Sequence, residues 1–166
     1  MITAHAYFSP KLDLTKQNGV FTIGAFKKGE VVALWNGAFT TRLQFAEMPE
    51  KNRLYSVQIE EDIFLVPDAR GTIDAPDYIM HSCEPNIGIS GQLTLLALRD
   101  IGIGEKISVD FATLNSSEYL EMDCQCGAPN CRKRITKDDW QIPALQEKYK
   151  GYFIPYLQRR IDALKK

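Results

Sequence analysis

Four cysteines make up the chain's whole supply of thiols, and their spacing is uneven. Cys124 and Cys126 form a C-x-C pair and Cys131 follows closely. Cys83 stands alone upstream, inside Met80-His81-Ser82-Cys83-Glu84-Pro85-Asn86. A tetrahedral zinc ion takes four such ligands at about 2.3 Å from each sulfur. A dense local trio plus one remote thiolate can supply them, clipping the tail of the chain onto the loop at Cys83. Each ligand must shed its proton, so binding free energy becomes folding free energy. The rival reading is two disulfides, for which four cysteines allow three pairings. Neighbours in a C-x-C pair rarely reach disulfide geometry with each other, and no secretory segment points to an oxidising compartment. Zinc is therefore the expectation.

Other chemistry is sparse. His5 and His81 are the two histidines, and His81 alone sits in a motif. There is no nucleophile elbow and no His-Glu-x-x-His. Gly102-x-Gly104-Glu105-Lys106 lacks the spacing of a phosphate loop and reads as a turn.

The elements that must position these residues follow from punctuation and periodicity. At 166 residues with ordinary apolar and charged content, the chain has the length of one domain with a small appendage. Short β-rich runs cover Val20 to Phe26, Val31 to Trp35, Leu54 to Ile59, Ile63 to Val66, Gln92 to Leu98 and Lys106 to Phe111. Turns at Lys27-Lys28-Gly29-Glu30 and Glu60-Glu61-Asp62 separate them, and this close spacing predicts a mainly β domain. Thr41 to Glu47 reads as a short helix ended before Pro49. After Cys131 the pattern turns helical. Thr136 and Asp139 give a capping-type start, and Pro143 and Pro155 fall near the first turns of helices over Gln141 to Lys148 and Tyr152 to Leu164. Tyr156, Leu157, Ile161 and Leu164 share one apolar face.

Charge is asymmetric. Residues 1–131 carry 10 Lys/Arg against 17 Asp/Glu, and residues 132–166 carry 10 against 4. An acidic body suits a Lys/Arg-rich peptide. The basic tail lacks aromatics at stacking spacing, which argues against nucleic acid as partner. The start of the chain lacks a signal-peptide pattern, and no apolar run reaches the roughly 20 residues of a membrane span. A cytoplasmic or nuclear, non-secreted protein is expected.

His-Ser-Cys-x-Pro-Asn followed by Cys-x-Cys-Gly-x3-Cys-Arg closely resembles the SET domain of protein-lysine methyltransferases with its post-SET zinc segment. The resemblance is collinear over about residues 16–131. Asn18-Gly19-Val20-Phe21 resembles the family's first cofactor loop, with one of two glycines kept, and Trp35-Asn36-Gly37 stands where Tyr-x-Gly is usual. Asp68-Ala69, Leu98-Arg99-Asp100-Ile101 and Gly104-Glu105-Lys106-Ile107 match further family segments. Residues Thr136 to Arg160 look like the C-terminal extension of small bacterial SET proteins.

This resemblance implies a mainly β, β-clip-like fold of small curled sheets in which the His-Ser-Cys segment threads under a later loop, knot-like. It implies a SET domain over 1–114, a post-SET zinc segment over 115–135 and a C-terminal helical extension over 136–166. The implied cofactors are S-adenosylmethionine and Zn2+, with Cys83, Cys124, Cys126 and Cys131 sharing the zinc. Asn18, Gly19, Val20, Phe21, Tyr78, Met80, His81 and Gln125 are the implied cofactor contacts. Trp35, Val109 and Phe111 are the implied substrate channel. The implied reaction is methyl transfer to a protein lysine, in which catalysis is mainly alignment and desolvation of an uncharged amine.

The departures bear on activity. Phe111 stands where the family's tyrosine hydroxyl orients methyl and amine, so Tyr78 and Tyr55 become the candidates to supply one. Met80 replaces an asparagine, Asp77 replaces an arginine three residues before it, and small Val109 leaves room for methyl groups. The alternatives carried forward are a catalytically weak SET-like module that binds cofactor or a lysine peptide, and a zinc-stapled domain without cofactor.

Overall fold

Glycines, prolines and turn residues cut the chain into strands of four residues or fewer, so no single sheet can dominate. The structure is a computed structural model describing residues 7–9, 11–15, 19–67 and 75–165. Asn18, Asp68-Ala69 and His5 lie outside those residues.

The chain opens with β1 (Tyr7–Phe8), β2 (Leu12–Thr15) and β3 (Gly19–Thr22), then β4 (Val31–Leu34) and β5 (Ala38–Thr41). Two short helices follow, α1 (Arg42–Glu47) and α2 (Glu50–Arg53), and then a hairpin of β6 (Val57–Glu60) and β7 (Ile63–Val66). Next come β8 (Met80–His81), β9 (Ile87–Ser90), β10 (Thr94–Ala97) and β11 (Ser108–Val109). The pair β12 (Met122–Asp123) and β13 (Arg134–Ile135) precedes helices α3 (Pro143–Lys148) and α4 (Pro155–Leu164).

The strands form several small sheets. An antiparallel sheet runs β1-β4-β10-β9, a second runs β5-β7-β6, and β2 pairs with β3. The remaining two pairs matter most for function. Parallel β8 and β11 set Ser108 beside Met80 and Val109 beside His81, and antiparallel β12 and β13 enclose the cysteine trio. Asn86 stitches the first of these in place. Its Nδ2 donates to the Lys106 carbonyl at 2.8 Å, and its Oδ1 accepts the Ser108 N–H at 3.0 Å.

Most element expectations hold in kind, and the bounds move for physical reasons. The strand expected over Val20 to Phe26 stops at Thr22, because the N–H groups of Ile23 and Gly24 both turn to the Lys11 carbonyl. The strand expected from Leu54 starts at Val57, because α2 takes Glu50 to Arg53 and the Ser56 N–H closes its turn on Arg53. Thr41 caps α1 with a reciprocal box to Gln44. Thr136 and Asp139 do bond, Oγ1 to Oδ1 at 2.7 Å, but they open a 3-10 turn over Asp139–Gln141. Pro143 and Pro155 each start their helix, where the missing N–H costs nothing. Tyr156, Leu157 and Ile161 bury as the apolar face requires, whereas Leu164, in the last turn, is 62% exposed.

The main core gathers Val32, Ile87, Ile89, Leu95 and Ile107 with Tyr156, Leu157 and Ile161, so α4 is packed into the β body. A second cluster holds Cys83 and Cys124 with Leu120 and Ile135, and Phe111 leans against both clusters. A third is built on stacked Phe45 and Phe64, with ring centroids 4.0 Å apart.

Candidate functional site

The four cysteines meet. Their sulfurs lie within 4.8 Å of one another, with Cys83 and Cys124 at 3.9 Å, and none is in a disulfide. Four sulfurs around one tetrahedral ion at about 2.3 Å would stand about 3.8 Å apart, so the set has the dimensions of a zinc site. Backbone N–H groups converge on the sulfurs: Arg132 donates to Cys83 at 3.3 Å, Lys133 to Cys131 at 3.4 Å and Cys83 to Cys126 at 3.5 Å. Lys133 takes φ of 67° to do so, a left-handed conformation that costs a non-glycine residue. Burial raises the Cys83 thiol and pushes Cys124 up to about 12. Burial also opposes ionisation at Cys126, yet the N–H groups of Cys83 and Ala128 bring it down to about 6. Burial at Cys83 and Cys124 opposes the thiolate form, and a dication is what would favour it at all four sulfurs. The donor set fits zinc.

Second-layer contacts tie this site to the body. Arg132, directly after Cys131, places Nη2 and Nη1 on the two oxygens of Asp110 at 2.7 and 2.8 Å and Nε on Asp139 at 2.8 Å. Burial works against the Arg132 charge, but the hydrogen bonds and field of Asp110 raise its pKa above the ordinary value. From α3, Lys148 and Tyr149 donate to the Cys83 carbonyl. His81 bridges inward: its Nδ1 accepts the Phe111 N–H at 3.2 Å, which leaves Nε2–H facing Cys83 Sγ at 3.4 Å. Burial lowers its pKa, with Asp110 acting in the opposite sense, so the neutral ring serves as a strut from the cleft wall to the cysteines.

Beside the cysteines opens a cleft of ≈ 720 Å³. Gly19, Tyr78, Met80 and Lys106 line it together, and Trp35, Tyr55, Phe111 and Leu114 supply apolar wall. Leu120 and Met122, just before the cysteine trio, reach the same space. The Tyr55 and Tyr78 rings are 5.7 Å apart and tilted. Met80 is 48% exposed, a thioether standing open in the cleft.

Of the sequence-derived residues, the cleft brings together Gly19, Trp35, Tyr55, Tyr78, Met80 and Phe111. Val20 and Val109 are wholly buried in the main core beneath it. Phe21 lies outside the wall, as does His81, while Gln125 is exposed beside the cysteines. Asn18 is outside the described residues. Sequence reasoning missed Asp110, Arg132, Lys106 and Tyr119. Arg132 had a signal, since it directly follows a cysteine, and so did Asp110, one residue before Phe111. Tyr119, whose ring packs edge-on to Phe45 at 5.4 Å, had none.

The charge asymmetry is partly consumed within the chain. Arg160 bonds Glu61, Arg159 bonds Glu60, and Arg134 pairs with Glu121 and Asp123 at 3.0 Å. Among the described residues no helix is long and apolar enough to cross a membrane.

Comparison with known proteins agrees with this geometry. The histone-lysine N-methyltransferase Su(var)3-9 of Drosophila melanogaster is 29% identical over 145 residues, spanning 69% of this chain and 22% of its own. Among solved structures, Arabidopsis thaliana SUVH6 in complex with SAM superposes with a TM-score of 0.57 at 18% identity, covering 74% of this chain and 32% of that one. KRYPTONITE in complex with mCHG DNA and SAH gives 0.54 at 23% identity, over 73% and 27%. The chain thus spans less than a third of the length of each of these proteins. Residues 17–112 match the SET domain, and the chain belongs to the SET domain family.

Proposed function

We propose that the chain is an S-adenosylmethionine-dependent protein-lysine methyltransferase. The observation that carries this is one cleft flanked by Gly19, Tyr78 and Met80 and walled by Trp35, Tyr55 and Phe111, with the cysteine site closing it beside Leu120 and Met122. The match to the SET domain and the SAM and SAH complexes of structural neighbours support the cofactor, and the histone-lysine methyltransferases among relatives support a lysine-bearing protein substrate.

Bound S-adenosylmethionine would supply an electrophilic methyl on sulfonium. A lysine amine can accept it only uncharged, and the aromatic wall favours that form by making the ammonium costly to bury. The chain's part would be to hold that amine, its proton already released to water, in line with the methyl, with S-adenosylhomocysteine as the leaving group. Trp35, Tyr55 and Phe111 exclude solvent, while Tyr78 and Tyr55 are the candidates to supply part of the hydroxyl contact that Phe111 lacks. Gly19 lets backbone approach the cofactor closely, and His81 contributes backbone while its ring braces Cys83. Val20 and Val109 support the cleft from the core, and Asn18, Phe21 and Gln125 are further candidate cofactor contacts carried by the resemblance alone.

Residues 1–114 form the catalytic unit in this reading, 115–135 a post-SET zinc segment and 136–166 an extension that locks both. A basic peptide suits Glu50 at the cleft wall. Thiolate zinc ligation fits a reducing cytoplasm or nucleus. Methyl transfer from labelled cofactor to a lysine peptide array, read by mass spectrometry, tests the proposal. Labelled lysines support it; cofactor binding without any transfer would favour the binding module, and absence of both would leave a zinc scaffold.

A further inference from the structure

Two cationic side chains line the cleft, Arg53 and Lys106. Arg53 is engaged. Its Nη1 donates to the carbonyls of Ala46 and Met48 at 2.9 and 2.8 Å, and its guanidinium covers the Tyr119 ring at 4.8 Å. Lys106 differs: among the described residues no carboxylate pairs with its Nζ. Its backbone is nevertheless fixed, bridged to Phe21 and held by Asn86. The exposed side chain therefore extends from a fixed backbone.

That side chain crosses Gly19. A Cβ built there would lie 3.0 Å from Lys106 Cε and 3.5 Å from both Met80 Cγ and the Tyr78 carbonyl. Gly19 also has φ of 96°, so its backbone conformation disfavours any larger residue, while the lysine stem lies where such a side chain would begin. The lysine stem thus lies against the same patch that the proposed cofactor would use, and delivers its ammonium there. Asp77, the acid on that wall, would repel a carboxylate.

Resting on the methyltransferase reading, we infer that Lys106 binds the α-carboxylate of the methyl donor's amino-acid part. A lysine suits this as a compact charge with three donors, and a charge-assisted hydrogen bond is among the stronger contacts such a cleft can make. Gly19 in this account has a second role beyond backbone approach: it clears the path of the lysine stem.

Calorimetry of the zinc-loaded full chain tests this with S-adenosylhomocysteine and its decarboxylated analogue. The wild-type protein should prefer the carboxylate form about tenfold, equivalent to about 1.4 kcal/mol. Lys106→Met should weaken S-adenosylhomocysteine about tenfold and erase the preference, while Lys106→Arg keeps it. Lys106→Gln serves if the methionine variant does not fold. Unchanged affinity in Lys106→Met overturns the inference and leaves the cofactor reading standing. Equal weakening of both ligands also overturns it, assigning the side chain to cleft shape. A loss confined to peptide KM would put Lys106 on the substrate side and overturn it too. No binding of either ligand by the wild-type chain overturns inference and reading together.

Discussion

Arg132 grips the carboxylate of Asp110 through two parallel hydrogen bonds of 2.7 and 2.8 Å, with the Asp110 side chain wholly out of solvent. One residue follows a cysteine of the metal set; the other precedes Phe111 in the cleft wall. A single guanidinium therefore joins the cysteine segment to the cleft, and through Asp139 to the start of the C-terminal helices.

Breaking that grip should be costly, because it strands a buried charge. Arg132→Ala is expected to lower unfolding free energy by about 3–5 kcal/mol, seen as a reduced urea midpoint, and to weaken cofactor binding. Arg132→Lys keeps the charge but loses the fork, so it should recover only part of the loss. An Arg132→Ala protein as stable as wild type would remove the joining role.

Gly37 illustrates a glycine fixed by space. A Cβ there would fall 2.3 Å from the Val66 carbonyl, where β5 and β7 begin to pair. Gly37→Ala should destabilise the chain by about 1–3 kcal/mol through forced displacement of the ladder. Gly91→Ala is the contrast: φ is 65° but nothing lies within 4 Å, so strain alone acts, costing about 1–2 kcal/mol. Chemical denaturation of both variants checks the ranking, and a Gly37→Ala protein with wild-type stability would refute it.

What could be read from the chain divides along the range of the interactions. Local signals did well: the short helix ended before Pro49, Pro143 and Pro155 opening helices, and the hairpin at Glu60-Glu61-Asp62 all rest on residues within a few positions. The cysteine meeting was legible because thiol chemistry restricts what four such residues can do. The Asp110–Arg132 pair was not, since nothing in either residue type names its partner across 22 positions. The short helix α2, with no side-chain cap, and β9, with Ile87, Gly88 and Ile89 buried, were missed because four residues are too few for a period to stand out. Charge imbalance read as substrate complementarity proved partly internal, because the arginines of α4 turn back onto Glu60 and Glu61.

Phe111 sets the rate prediction. Its ring lines the cleft 5.3 Å from that of His81, and its N–H is already committed to His81 Nδ1. Adding a hydroxyl leaves that backbone contact alone and places a polar atom within the cleft. Phe111→Tyr should raise methyl transfer about tenfold or more, in the range of a positioned polar contact, with cofactor affinity nearly unchanged. Tyr78→Phe and Tyr55→Phe should lower it if either supplies the stand-in hydroxyl. Initial rates with labelled cofactor decide. No gain in Phe111→Tyr would mean the existing tyrosines already do the task.

Removing metal should dismantle the cleft from one side. Cys83 and Cys124 share their cluster with Leu120 and Ile135, and Phe111 packs on it, so the sulfurs cannot spread without moving cleft wall. The purified, reduced chain is expected to hold about one zinc per molecule by elemental analysis. Cys126→Ser, which removes a sulfur that backbone N–H groups hold toward its thiolate form, should lose most of it. A strong chelator should lower the unfolding midpoint, as expected when a ligand of the folded state alone is withdrawn, and should abolish S-adenosylhomocysteine binding in the same titration. A chain whose midpoint and binding are both indifferent to chelator would show that the four thiols pack as an apolar cluster and need no ion.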